Sequence, residues 1–365
     1  GTYSGTGVSS NGWFNPSLAN IGNNTITYTY TDPGSGCENS ATESINVLQD
    51  PQPSTFNTFP GSATTFIWDW NNLSPFTGCG GNNLSLVLDN MSATPVANAN
   101  YIFDWGDNTP AYSTTNLPSV GIDTLHTYTL QGLFTLTLTI TGQNGCIATE
   151  THSVFNGTNP TISFVNPGGF LNLCVPDSIT FPIGSFSGNP QATTYTISSN
   201  TGDPPIIFSH PPPTEYTYVF TTTSCGITGI TPNTFEFTCR AQNPCGFSDN
   251  IVPTIPMSNA PKADFLISPD TIECVNSIIT FTDASVDGYM VNNNGDCDST
   301  SRHQWEITPS SGWNISGGLL GNISSNNPNA WGSSVLDVNF TSPGEYFISM
   351  IIENSCGTDT MTKKV

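Results

Sequence analysis

Ten cysteines, 27 carboxylates and four histidines are the side chains of this 365-residue chain with chemistry to offer. The cysteines are spread widely and include no Cys-x-x-Cys pair. That spacing disfavours zinc and favours disulfides formed in an oxidising, extracellular compartment. Carboxylates are densest in one segment that holds Asp283, Asp287, Asp296 and Asp298. An oxygen-rich loop of this kind suits calcium, which takes roughly six to eight hard oxygens. The EF-hand spacing is missing, and a solvated polar loop would read the same way. Calcium is therefore the one cofactor the chain could take, and otherwise none is expected. Asp104 and Asp107 read either as turn caps or as calcium ligands. His152, His210 and His303 fall on strand ends or loops, with no nucleophile elbow, P-loop or His-Glu-x-x-His beside them. No catalytic residue is named and no enzyme is expected. Trp13, Trp68, Trp70, Trp313 and Trp331 could stack on sugar or pack in cores.

The elements that must hold these residues are strands. Charged residues are only 9% of the chain, while hydrophobic residues are 36% and aromatic residues 11%. Thr, Ser, Asn, Gly and Pro fill the rest, a composition of strands and turns. The balance of 27 acidic against five basic residues, a net charge of −22, excludes nucleic acid as a partner. It also disfavours anionic membrane surfaces. No apolar run reaches the length of about 18 residues that membrane insertion requires.

The chain repeats itself about every hundred residues. Four alternating strands each end in a polar turn with one cysteine: Cys37, Cys146, Cys245 and Cys356. Phe134, Leu136, Leu138 and Ile140 share one face of such a strand, and Tyr346, Ile348, Met350 and Ile352 share another, a period of two. Repeat beginnings match as well: Cys174 opens CVPDSITF, Cys274 opens CVNSIITF, and Cys79 precedes a looser version. Four segments follow: 1–48, an incomplete repeat, then 49–157, 158–258 and 259–365. Residue 1 falls inside a repeat, so a longer polypeptide is expected. Each full repeat is expected to close its own disulfide: Cys79 with Cys146, Cys174 with Cys245, and Cys274 with Cys356. A loop near 70 residues would stabilise its repeat by roughly 4 kcal/mol. Cys225 and Cys239 could form a local bridge. Cys37 would pair upstream, and Cys297 is free or joined to Cys37.

Phe103, Asp104, Trp105, Gly106 and Asp107, then His126 and Tyr128, then Gly132 and Phe134 to Ile140 form three blocks in order. On these blocks the second segment resembles a PKD domain, an immunoglobulin-like β-sandwich. The fourth keeps Trp305, Glu306, Ile307, Gly344 and Tyr346, and the third keeps Tyr195, Thr196 and Ile197. The first resembles the end of another immunoglobulin-like repeat. The resemblance implies an all-β fold of tandem Ig-like (PKD-type) antiparallel β-sandwiches in an elongated array. It gives His126 a packing role. It points to repetitive surface proteins of Bacteroidota, including gliding-motility adhesins of the SprB type, which resemble cargo of type IX secretion. The function implied is an extracellular stalk or adhesin segment. Its partners would be neighbouring repeats of the same polypeptide, surface polysaccharide or other surface proteins. The alternative is a carbohydrate-binding or spacer module of a secreted polysaccharide- or protein-degrading enzyme. The same phylum attaches O-glycans at Asp-Ser/Thr before an apolar residue. Thr124, Ser178, Thr271 and Thr360 would then be acceptors.

Overall fold

The computed structural model describes residues 1–53, 65–66, 76–88, 98–115, 124–169, 173–269 and 273–365. Trp68, Trp70 and Thr271 lie outside them. The fold is all-β, with no α-helix among the described residues. The chain divides into two compact units. The first comprises Gly1–Asn159 with the short pieces Asn189–Ala192 and Asn243–Gly246. The second comprises Pro160–Gly188, Thr193–Gln242 and Phe247–Val365.

In the first unit, strands Thr2–Ser4, Gly22–Thr31 and Glu38–Val47 form one antiparallel sheet. The sandwich that follows has a six-stranded sheet ordered Thr65–Phe66, Phe76–Gly78, Ile147–Asn156, Gly132–Gly142, Asn98–Asp104, Tyr112–Thr114. Strands Leu84–Leu88 and Thr124–Tyr128 pair with each other and close the core. The alternation in Gly132–Gly142 does what a period of two must. Leu136, Leu138 and Ile140 are fully buried against Tyr101, Phe103 and Tyr128, while the threonines between them are partly exposed. Gly106 has φ 72°, and a Cβ there would lie 2.3 Å from the Thr135 carbonyl oxygen. The Gly-Asp of the PKD-like block is thus fixed by a close backbone approach that only glycine permits.

The second unit holds two sandwiches. In one, Ser163–Phe164, Asp177–Gly184 and Glu215–Phe220 face Ile206–Ser209, Thr194–Ser199, Phe235–Asn243 and Gly246–Ile255. Phe181, Tyr195, Phe220 and Phe237 fill the space between the sheets. In the other, Phe265–Ser268, Ile278–Asp283, Val335–Phe340 and Trp313–Gly317 face Arg302–Thr308, Phe347–Asn354 and Gly357–Lys364. This four-on-three order is that of an immunoglobulin constant-type sandwich. Its core is Phe265, Phe281, Trp305, Leu336, Ile348 and Met350.

Candidate functional site: cysteine junctions and the acidic loop

The structure corrects every expected cysteine pair. It joins Cys79 to Cys245, Cys174 to Cys356 and Cys225 to Cys297. Cys37, Cys146 and Cys274 are exposed thiols, and Cys239 is a buried one. The reason is strand length. Cys146 immediately precedes Ile147–Asn156, while Cys79 follows Phe76–Gly78, which pairs in parallel with the far end of that strand at Val154–Asn156. Ten residues of strand separate the two by about 30 Å. A disulfide needs Cα atoms within about 7 Å. Likewise Cys245 precedes Gly246–Ile255, and Cys174 bridges in parallel to Ser258 beyond that strand's end. Cys356 follows Phe347–Asn354, whereas Cys274 lines one cavity with Tyr346, which precedes that strand. Early and late cysteines therefore stand at opposite ends of a sandwich. A bond within a repeat is out of reach. Two of the bonds found join the early cysteine of one repeat to the late cysteine of the next, and the third joins Cys225 to Cys297 across the same pair of repeats as Cys174–Cys356.

Cys225–Cys239 fails for another reason. Cys239 lies on the inward face of Phe235–Asn243, opposite Ile197, and belongs to the apolar core. Burial pushes its thiol up to about 12, so it packs as a small hydrophobe. Cys225 lies outside the core and reaches Cys297 instead.

A device that sequence reading missed recurs at three of the four late cysteines. Asn144, Asn243 and Asn354 each stand two residues before it, and their Oδ1 atoms accept the N–H of Cys146, Cys245 and Cys356 at 2.9, 2.9 and 2.8 Å. The same side chains donate from Nδ2 to the carbonyls of Gln49, Thr158 and Asn259, at 3.4, 3.0 and 2.9 Å. Each acceptor lies in the segment that leads into that repeat. One amide thereby closes the Asn-x-Cys turn with its oxygen and seats it on the linker with its nitrogen. The available signal was the recurrence of NGC, NPC and NSC.

The carboxylates of the acidic loop are engaged by neighbouring side chains and backbone. Asp283 Oδ2 lies 2.7 Å from His303 Nδ1, and Asp287 lies 3.6 Å from His303 Nε2. Asp296 accepts from the Asn292 amide, and Asp298 accepts from the backbone N–H and hydroxyl of Thr300. No group of three potential ligands gathers among the described residues. The loop is a small hairpin, Met290–Val291 with Cys297–Asp298. It packs on the preceding repeat's exit: Val291 N–H donates to Ser258 Oγ at 2.9 Å and Asn233 Nδ2 to the Gly295 carbonyl at 2.8 Å. Gly295 has φ 80°, and a Cβ there would meet the Pro232 carbonyl oxygen at 2.1 Å. The Cys225–Cys297 bond locks this contact.

The His303–Asp283 pair makes stability depend on pH. The Asp283 hydrogen bond and charge raise His303 despite burial. Burial would raise Asp283, but its bonds to His303 and Ser285 outweigh that and lower it. A raised histidine stabilises fully below its ordinary 6.5 and loses that contribution as pH rises through the raised value. A lowered carboxyl stabilises above its ordinary 3.8 and loses that as pH falls through the lowered value. The pair is thus at full strength between these limits. Replacing His303→Gln should flatten the alkaline side of a melting-temperature profile, removing about 1.5–3 kcal/mol, the range for a hydrogen bond to a charged group. A variant profile parallel to the parent's above neutrality would refute this.

Asp104 and Asp107 serve their own turn. Asp104 accepts from Gly106 N–H at 3.0 Å, and Asp107 accepts from Thr109 N–H at 3.1 Å and meets His126 Nε2 at 2.8 Å. His126 stacks on Trp105 at 4.3 Å, and the buried Tyr128 donates to the Trp105 carbonyl at 3.1 Å. Among the indoles, Trp13 is 78% exposed. Trp313 and Trp331 are partly buried and donate to the Pro309 and Ser325 carbonyls. Ser178 and Thr360 are exposed on strands, and Thr124 opens the strand Thr124–Tyr128.

These features define a chain of immunoglobulin-like β-sandwich repeats braced by disulfides between successive repeats. No protein-family model and no curated protein matches it. Among solved structures, the fibronectin(III)-like modules of Clostridium thermocellum CbhA are 12% identical, over 54% of this chain and 92% of that one, with a TM-score of 0.25. A Ca2+-stabilized adhesin of an ice-binding Antarctic bacterium is 10% identical, over 100% and 88%, with a TM-score of 0.25. The complex of Dpr2 Ig1-Ig2 with DIP-Theta Ig1-Ig3 gives 10% identity over 87% and 99%, with a TM-score of 0.27. The class rests on strand order and cores, not on these likenesses.

Proposed function

We propose that the chain is a non-catalytic, load-bearing stalk segment of a secreted cell-surface protein, one that carries or forms an adhesive surface. The observation behind this reading is the set of disulfides between successive repeats, Cys79–Cys245, Cys174–Cys356 and Cys225–Cys297. Bonds of that kind add little to any binding pocket, and they convert a string of separately unfoldable modules into a covalent brace. They also require an oxidising compartment, which supports a location outside the cell. A net charge of −22 suits a segment that must stay extended from its neighbours in solution. The PKD-like blocks of the second repeat support a source among Bacteroidota surface proteins of the gliding-adhesin kind, exported by type IX secretion. O-glycans at Ser178 and Thr360 would stand on exposed strand faces. The partners in this reading are neighbouring repeats and, beyond them, surface polysaccharide or protein.

The test places the chain between a membrane anchor and a known binding head on a cell. Replacing Cys79→Ser, Cys174→Ser and Cys225→Ser together removes all three bonds. At equal display, the variant should hold under static conditions and detach at lower shear. Equal detachment curves would end the load-bearing reading.

A further inference from the structure

Cys274 occupies the position that Cys79 and Cys174 occupy in their repeats, and both of those are bonded to the late cysteine of the next repeat. The surroundings match too. In the third repeat, Val175 N–H donates to the Ser258 carbonyl, and Ser258 N–H to the Leu173 carbonyl, both at 2.9 Å. Met257 beside it is fully buried in one cluster with Ile179 and Phe220. The exit linker therefore covers the apolar end of that sandwich and brings the next Asn-x-Cys turn to Cys174. In the fourth repeat the corresponding end is an open cavity of about 790 Å³, lined by Cys274, Val275, Ile279, Phe340, Tyr346 and Val365. Val275, Ile279 and Phe340 are the counterparts of Val175, Ile179 and Phe220 in the matching strands. An exposed thiol thus sits at the rim of an apolar seat whose equivalent in this chain is filled.

We propose that this end is the docking site for a further sandwich repeat, with the apolar linker of that repeat in the cavity and the cysteine of its Asn-x-Cys turn bonded to Cys274. The Asn144-Gly145-Cys146 turn shows that the donor half forms without its bond: Asn144 is seated on Gln49 while Cys146 remains a free, exposed thiol. In the bonding step two S–H bonds break and one S–S bond forms. The two protons and two electrons pass by thiol–disulfide exchange to an oxidising carrier disulfide, which becomes a dithiol.

The test extends the full chain at Val365 with a second copy of residues 255–365, its copies of Cys274 and Cys297 replaced by serine. The frame follows from Thr254 and Val365, each eleven residues after its turn asparagine. Alkylation should label Cys274 in the parent chain and lose it in the extended one. Non-reducing peptide mapping should recover Cys274 joined to the appended copy of Cys356. Replacing the appended copy of Asn354→Ala should restore part of the labelling. Full labelling of Cys274 in the extended chain, or its bonding to any other cysteine, would overturn the proposal. So would an appended repeat that fails to protect its amides, because the seat is held to lie complete in the fourth repeat.

Discussion

Pulled from its two termini, the oxidised chain should lengthen about 700 Å less than the same chain in reductant, at up to 3.3–3.6 Å per extended residue. The loops closed by Cys79–Cys245 and Cys174–Cys356 overlap. Force entering at Cys79 crosses to Cys245, runs back along the chain to Cys174, and crosses to Cys356. That route contains roughly 70 residues of backbone, against roughly 280 along the unbonded chain from Cys79 to Cys356. Three bonds formed within single repeats would remove a similar length of chain in separate loops, but would leave the links between repeats free to stretch, so reduction shows that bonds form and peptide mapping shows which. The overlap also builds in redundancy. With Cys174 and Cys356 both changed to serine, force can still pass from Cys245 to Cys225, across to Cys297 and on, a route of roughly 80 residues. Losing that single bond should therefore add only a few tens of ångströms, whereas reduction adds hundreds. Optical-trap extension with handles at both ends measures the difference. Identical extensions with and without reductant would mean that the overlapping bonds do not form.

The strands and their faces were legible because alternation is local. Leu136, Leu138 and Ile140 face the core for the same reason that they read as one stripe. The block from Phe103 to Asp107 was visible in the sequence, but the close approach of Gly106 to Thr135 that fixes it was not, because its partner lies on another strand. Cysteine partners were not legible, because repetition identifies which cysteines are equivalent without saying whether equivalents meet within a repeat or across two. That depends on which end of a strand each occupies, and Cys79 lies beside Asn156 rather than beside Ile147. The acidic loop was ambiguous in the sequence for a different reason. A carboxylate that caps its own turn, as Asp298 does for Thr300, has the same composition signature as one that binds calcium. The Asn two residues before Cys146, Cys245 and Cys356 was visible all along. Its role depends on a carbonyl nearly a hundred residues away, such as Asn259 for Asn354.

If the bonds supply the brace, packing supplies the shape they hold, and Trp305→Ala should separate the two contributions. Trp305 is 1% exposed, stands opposite Met350, and meets the Phe265 ring edge-on at 5.3 Å. Its Nε1 donates to the Ser333 carbonyl at 2.8 Å. Truncation opens a cavity between the sheets and orphans that carbonyl, for a loss of about 3–5 kcal/mol. That is a large share of what a single domain possesses. Cys174–Cys356 and Cys225–Cys297 should still form, since neither touches the core stripe. The chain should stay fully oxidised while amide exchange in Phe347–Asn354 and Gly357–Lys364 accelerates about 10²–10⁴-fold. Exchange in Phe235–Asn243 should hardly change, because Phe237 and Tyr195 pack in a core with no residue of the Trp305 cluster. Equal acceleration in both strands would show instead that the two sandwiches open as one body. The bonds between them would then be reporting a shared fold rather than bracing two independent ones.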